Sequence, residues 1–295
     1  MHLGNSIICP VTGIPMLVVA GAFAFYSVKN IRKSEENKNI LFRIIMTAFV
    51  FSMQMINFSI PPTDSSGHII GAILLAILFG KNRAFISMCV ILTVQALLFN
   101  DGGLLALGCN IFNMGVLPCF VAYPLIYKTV SNKYAAPVLS CIGALLLGSI
   151  AVVLETVLSG TISSNIANFL ALMTGIHVVI GLIEGIISAS VIAIIDKFGL
   201  NNKLNIVFSS IIALLCTIIF QYASTKPDGL EWALLNISES ITLQTQGNIY
   251  ELAQNIQSLT SVFLNMNPVV ANVIGIFALL AIMLIINKVI KVKSI

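Results

Sequence analysis

Charge is scarce in this chain. Asp, Glu, Lys and Arg together make up 9% of 295 residues, apolar residues make up 58%, and the mean hydropathy is +1.02. That balance excludes an ordinary water-soluble domain and predicts an integral membrane protein, because a span needs ~20 mostly apolar residues and many such runs are present. Strict alternation of polar and apolar residues is missing, which excludes barrel strands and leaves helices as the spanning form. No Gly-rich loop carries the Lys and Ser or Thr of a phosphate cradle, so ATP hydrolysis by this chain is excluded. The six cysteines (Cys9, Cys89, Cys109, Cys119, Cys141 and Cys216) include no CxxC pair. Five fall inside predicted spans and read as small packing residues, not as disulfide partners or thiolate ligands. A basic segment before the first apolar run is also lacking. A cleavable signal peptide is therefore not expected, and the bulky His2 should leave Met1 in place.

The apolar runs predict spans near 14–28, 40–60, 69–80, 84–99, 104–127, 137–158, 169–195, 204–222 and 269–287. Basic residues mark every second boundary: Lys29 to Arg43, Lys81 and Arg83, Lys128 and Lys133, Lys197 and Lys203, then Lys288, Lys291 and Lys293. Only Lys226 falls on the other side. The positive-inside bias then places the N-terminus outside and the C-terminus in the cytoplasm of a multi-pass protein of the cell membrane. Tyr26, Tyr123, Tyr127 and Tyr222 lie near predicted span ends, as an aromatic belt requires. The fold class is all-α integral membrane: a seven-span helical bundle in residues 1–203, then a two-span hairpin with a large external loop, roughly 223–268, in residues 204–295. Gly67 with Gly71, and Gly181 with Gly185, have the spacing of close helix contacts.

Histidine is rarer still, with three in the chain: His2, His68 and His177. A chain beginning Met1-His2 presents three nitrogen donors in a row, the α-amine, the amide of His2 and its imidazole. They close a five-membered and then a six-membered chelate ring. Such a set favours a plane, which suits Ni(II), Cu(II) or low-spin cobalt better than zinc or magnesium. His68, in a polar loop on the same predicted side, is the candidate fourth donor. Proton competition at these nitrogens predicts that capture weakens as pH falls.

Other polar residues in or near the spans have two readings each. His177 and Glu184 share a helix face and could line a pathway; holding helices together by hydrogen bonds is the slightly favoured reading. Gln54, Asn57, Gln95, Asn110 and Asn113 are expected to join helices, with Asn110 and Gln95 as candidate partners for the ligating histidines. Glu155 is expected to be solvated, and Asp101 is explained by its Asn-Asp-Gly-Gly turn alone.

Several stretches line up with one family. They are Met1-His2; Gln54 to Phe58 followed by Ser66-Gly67-His68; Gln95 to Gly103; Leu107 to Met114; and His177 to Gly185. The first block resembles the CbiM/NikM family, the substrate-capture membrane subunits of energy-coupling-factor transporters for cobalt and nickel. Pro227-Asp228-Gly229-Leu230-Glu231 is similar to the motif of the two-span CbiN/NikN (PDGLE) partner, here fused to the first block. The resemblance implies a transporter component without enzymatic activity, the transported ion as its cargo and no permanent cofactor. It also implies a transmembrane coupling subunit and ATPase subunits as separate partner chains, and no nucleic-acid partner. Its metal ligands map onto Met1, His2 and His68. The family commonly continues Met-His with Ile-Pro-Asp-Gly, where this chain has Leu3-Gly4-Asn5-Ser6. The alternative reading is a stand-alone secondary metal-ion transporter or channel, with His177 and Glu184 as a proton relay.

Overall fold

The computed structural model describes residues 1–33, 40–198, 222–237, 241–263 and 266–291, with scattered positions between 207 and 219. The expected domain boundary at 203/204 and most of the eighth predicted span lie outside these residues. Among the described residues, six helices are long and apolar enough to cross a membrane: α1 (Pro10–Lys33), α4 (Lys81–Phe99), α5 (Leu107–Tyr127), α6 (Ala135–Leu158), α7 (Ile166–Phe198) and α10 (Pro268–Lys291). Between α1 and α4 lie the shorter α2 (Ile40–Gln54), the strands β1 (Phe58–Ile60) and β2 (Ser65–Gly67), and α3 (Ala72–Phe79). Two further helices, α8 (Gly229–Leu235) and α9 (Asn248–Thr260), precede α10.

The third predicted span is corrected here. Residues 69–80 form only the eight-residue α3, about 12 Å long at 1.5 Å per residue, far short of the ~30 Å hydrocarbon core. The chain instead reaches α3 through a β-hairpin, in which Phe58 pairs with Gly67 and Ile60 with Ser65. The expectation of an all-α chain missed that hairpin, and the nine-span count is not reached among the described residues. Gly71 is not part of a Gly-xxx-Gly helix contact either. It sits just before α3 with φ +73°, a left-handed conformation that an L side chain resists. The second glycine pair behaves as expected. A Cβ on Gly185 would lie 2.5 Å from Val138 Cα, and one on Gly181 would lie 2.8 Å from Ile142 Cα, so α7 closes tightly on α6.

Amides and hydroxyls stitch the bundle. Gln54 Nε2 donates to the Ile70 carbonyl at 2.5 Å, Thr47 and Ser87 hydroxyls meet at 2.9 Å, and Asn113 Nδ2 donates to Glu155 Oε2 at 2.7 Å. Glu155 is therefore not solvated. It is buried, and its partner lies on α5. The final helix α10 packs against α2 and α4, where Gly275 abuts Phe51 and Phe99 and Asn287 bonds Arg43. Apolar side chains such as Val11, Phe25, Leu154 and Phe277 point outward and are largely exposed, as lipid-facing residues must be.

One face of the bundle carries the N-terminus, the β-hairpin, the loop 100–106 and the described residues between 222 and 267. That segment is laced to the first block through the backbone. Ser224 N donates to Asn57 O, Ser66 N to Pro227 O, Thr242 N to Thr161 O and Gln244 N to Ser6 O, all at 2.7–2.9 Å.

Candidate metal centre

The N-terminus does not project into solvent. Met1 is 3% exposed and Leu3 is fully buried. Asn110 fixes the backbone just past His2: its Oδ1 accepts from Leu3 N at 2.8 Å and its Nδ2 donates to Leu3 O at 3.1 Å. Gly103 N also donates to Leu3 O, at 2.7 Å. Asn110 thus holds the chain beside His2 and not the imidazole itself, which corrects the expected contact. Gln95 is the amide that interacts with the His2 ring. Its Oε1 and His2 Nε2 are both buried with no partner at normal hydrogen-bond geometry.

His68 follows β2 and is placed by the two residues after it. Glu184 on α7 accepts from Ile70 N at 2.8 Å and from Gly71 N at 2.9 Å, one carboxylate oxygen to each. These are orphan donors at the start of α3, so the acid serves as a cap supplied by a distant helix. Glu184 therefore does structural work on the chain that presents His68. His177 Nδ1 donates to Met173 O at 2.7 Å within its own helix, and the opposite edge of its ring lies against Gly229.

Both predicted ligand side chains, His2 and His68, lie together with the Met1 amine. Met1 Nα lies 3.4 Å from His68 Nε2. The His2 and His68 rings stack with centroids 4.8 Å apart and planes 27° from parallel. Burial and the neighbouring N-terminal ammonium lower both imidazoles to a pKa of about 3, so both rings are neutral at any ordinary pH and the expected proton competition does not arise at the imidazoles. Among the described residues, no three His, Cys, Asp or Glu side chains cluster as a metal site by themselves.

Two acids complete the surroundings, and neither was expected beside the donors: Asp101 was read as a turn former and Asp228 as part of its motif. Asp101 Oδ1 lies 3.3 Å from His2 Nδ1, so this residue is more than a turn former. Asp228 Oδ2 lies 3.2 Å from Met1 Nα, while its Oδ1 accepts from Leu230 N and Glu231 N at 2.9 and 2.8 Å. Burial works to raise the Asp228 carboxyl, but the ammonium and the amide donors outweigh it and hold the group well below the usual carboxylate range. The local motif explains itself physically. Asp228 and Glu231 form a reciprocal capping box on α8, Leu230 is buried, and Gly229 leaves room for the His177 ring. The signal for Asp228 was its motif; for Asp101 it was an acid in a loop beside a predicted span end. Outside these groups lies a polar chamber of about 700 Å³, bordered by His2, His68, Asp101, Asp228, Glu231 and Gln257.

The family described as cobalt uptake substrate-specific transmembrane region, CbiM, matches residues 2–201, well over half of the chain. The chain belongs to the CbiM family. A PDGLE domain matches residues 203–292 of this CbiM protein. Similar proteins include an Archaeoglobus fulgidus protein provisionally named as a fused nickel transport protein, NikMN. It is 33% identical over 186 residues, which cover 61% of this chain and 62% of that protein. The chain thus spans less than two thirds of that relative's length. The cobalt transport protein CbiM of Clostridium tetani is 26% identical over 209 residues, covering 68% of this chain and 86% of that one. A crystal structure of a transition metal transporter superposes with a TM-score of 0.59 at 29% identity, over 70% of this chain and 96% of that one. This CbiM protein is accordingly a multi-pass membrane protein of a metal-transport family.

Proposed function

We propose that this chain is the substrate-binding membrane subunit of an ATP-driven, energy-coupling-factor type transporter for nickel or cobalt. It captures the divalent ion as cargo at the Met1 amine, the His2 amide and imidazole, and His68. The observation that carries this reading is the 3.4 Å approach of the buried Met1 Nα to His68 Nε2, with the His2 ring against His68. The amine is held in its buried place by His68 on one side and by the Asp228 carboxylate, at 3.2 Å, on the other. The stacked rings are not yet aimed at one centre, so loading entails rotation of at least one imidazole and exchange of the Asp228 contact for the metal. The relatives' names support nickel and cobalt as cargo, and planar nitrogen ligation favours nickel.

In this reading residues 1–203 form the metal-binding domain and residues 204–295 the fused PDGLE module. The N-terminal face is extracellular and the C-terminus cytoplasmic, consistent with the basic residues at alternate boundaries. Coupling and ATPase subunits are separate chains. The stand-alone reading needs His177 and Glu184 as a relay, whereas both side chains are engaged by backbone groups. Uptake of labelled nickel into proteoliposomes tests the reading. Uptake is expected to need ATP and the partner subunits together with this chain. ATP-independent uptake by this chain alone would instead establish the secondary-transport alternative.

A further inference from the structure

An amphipathic helix ordinarily turns its apolar stripe toward the core. α9 does the reverse. Ile249, Leu252, Ile256 and Leu259 are 39–80% exposed, while Gln257 on the inner side is 2% exposed. Burial of large apolar side chains therefore does not seat this helix on the bundle. Beside the small buried Ala253, amides do: Gln254 Oε1 accepts from Asn5 Nδ2 at 2.9 Å, and Gln257 makes four such contacts. Its Nε2 donates to Ala96 O at 2.8 Å and to Gly102 O at 2.7 Å. Its Oε1 accepts from Asn5 Nδ2 at 2.7 Å and from Leu104 N at 3.3 Å. All four partners belong to the first block, and the donor and acceptor capacity of the amide is fully used.

Those partners flank His2. Asn5 lies three residues beyond it, and Asn5 Oδ1 in turn accepts from Leu105 N at 2.8 Å. Gly102 follows Asp101, whose carboxylate meets the His2 ring. Ala96 follows Gln95, which interacts with the same ring. One buried side chain thus ties the N-terminal segment, the loop after α4 and the end of α4 into a single unit around His2.

We infer that Gln257 is a positioning residue of the capture site, through which the second module sets how long the ion is held. The inference rests on the metal-capture reading above. Local opening of residues 1–5 is the natural first step of release toward the chamber, and Gln257 opposes it. Its loss should raise the rate of escape and leave the rate of capture little changed, because the donors themselves are untouched.

The test uses the full chain with its native N-terminus, loaded with nickel in lipid nanodiscs and chased with excess chelator. Gln257→Leu is expected to release nickel about 10-fold faster, the low end of the cost of losing a partner behind a metal ligand. Association should change by less than about twofold. Amide hydrogen exchange at residues 2–5 and 101–104 should rise in the metal-free protein. Asn5→Ala should act in the same direction, and the double variant should be no faster than the faster single one, as for residues in one network. If Gln257→Leu does not fold, faster release from Asn5→Ala supports the inference and unchanged release overturns it. Unchanged release from a folded Gln257→Leu that still binds one ion overturns the inference and leaves the capture reading intact. Failure of the unmodified chain to bind nickel or cobalt overturns the capture reading and this inference with it.

Discussion

Two residues added ahead of Met1 are expected to cost at least about 100-fold in nickel affinity, or about 2.7 kcal/mol, with the helices unchanged. The added chain converts the α-amine into an amide and moves His2 two positions along. It removes a primary donor and breaks the five-membered ring that makes the His2 amide a ligand. It must also find room where Met1 is 3% exposed and its thioether lies against Gly148. The ion pair to Asp228 is lost as well. Equilibrium binding of nickel, with circular dichroism as the control for fold, checks this result. A tag at the C-terminus leaves the site free and is expected to have no effect.

Glu184→Leu should have the next largest effect, although Glu184 touches no proposed ligand. Its two oxygens are the partners of Ile70 N and Gly71 N. Leucine leaves two buried amide donors unpaired, at roughly 1–3 kcal/mol each, in surroundings where water is a poor substitute. The cost is expected in two readouts: a lower unfolding temperature in detergent, and a loss of about 10- to 100-fold in metal affinity as His68 loses its anchor. Glu184→Gln keeps one acceptor and should fall between the wild type and Glu184→Leu in both. Equal loss of stability with unchanged metal affinity would separate Glu184 from the site.

Much of this was legible in the sequence, and the gaps have physical reasons. Hydropathy finds long spans because each must be apolar from end to end, so α1, α6, α7 and α10 emerge close to their expected bounds. Residues 69–80 are as apolar as a span but enclose a break, at Gly71 with φ +73°. Composition does not reveal what encloses such a segment, and the cap that ends it comes from Glu184, more than a hundred positions away. The donors Met1, His2 and His68 could be picked out because their chemistry is rare and local. Their surroundings could not, because Asp101, Asp228 and Gln257 reach the site through long-range contacts that leave no spacing pattern. Glu155 was misread for the same reason: its partner Asn113 lies on another helix, and an acid near a span end otherwise belongs in water. The departure from the family at Leu3-Gly4-Asn5-Ser6 acquires a meaning only in three dimensions. Asn5 is one of the residues that receive the second module, through Gln254 and Gln257 at 2.9 and 2.7 Å.

The X-ray absorption spectrum at the nickel edge, recorded on loaded protein with its native N-terminus, tests the capture site most directly. Four nitrogen neighbours in a planar array are predicted, with outer-shell scattering from two imidazoles and none from sulfur. A six-coordinate spectrum dominated by oxygen, or one with a sulfur neighbour, would contradict the Met1, His2 and His68 assignment.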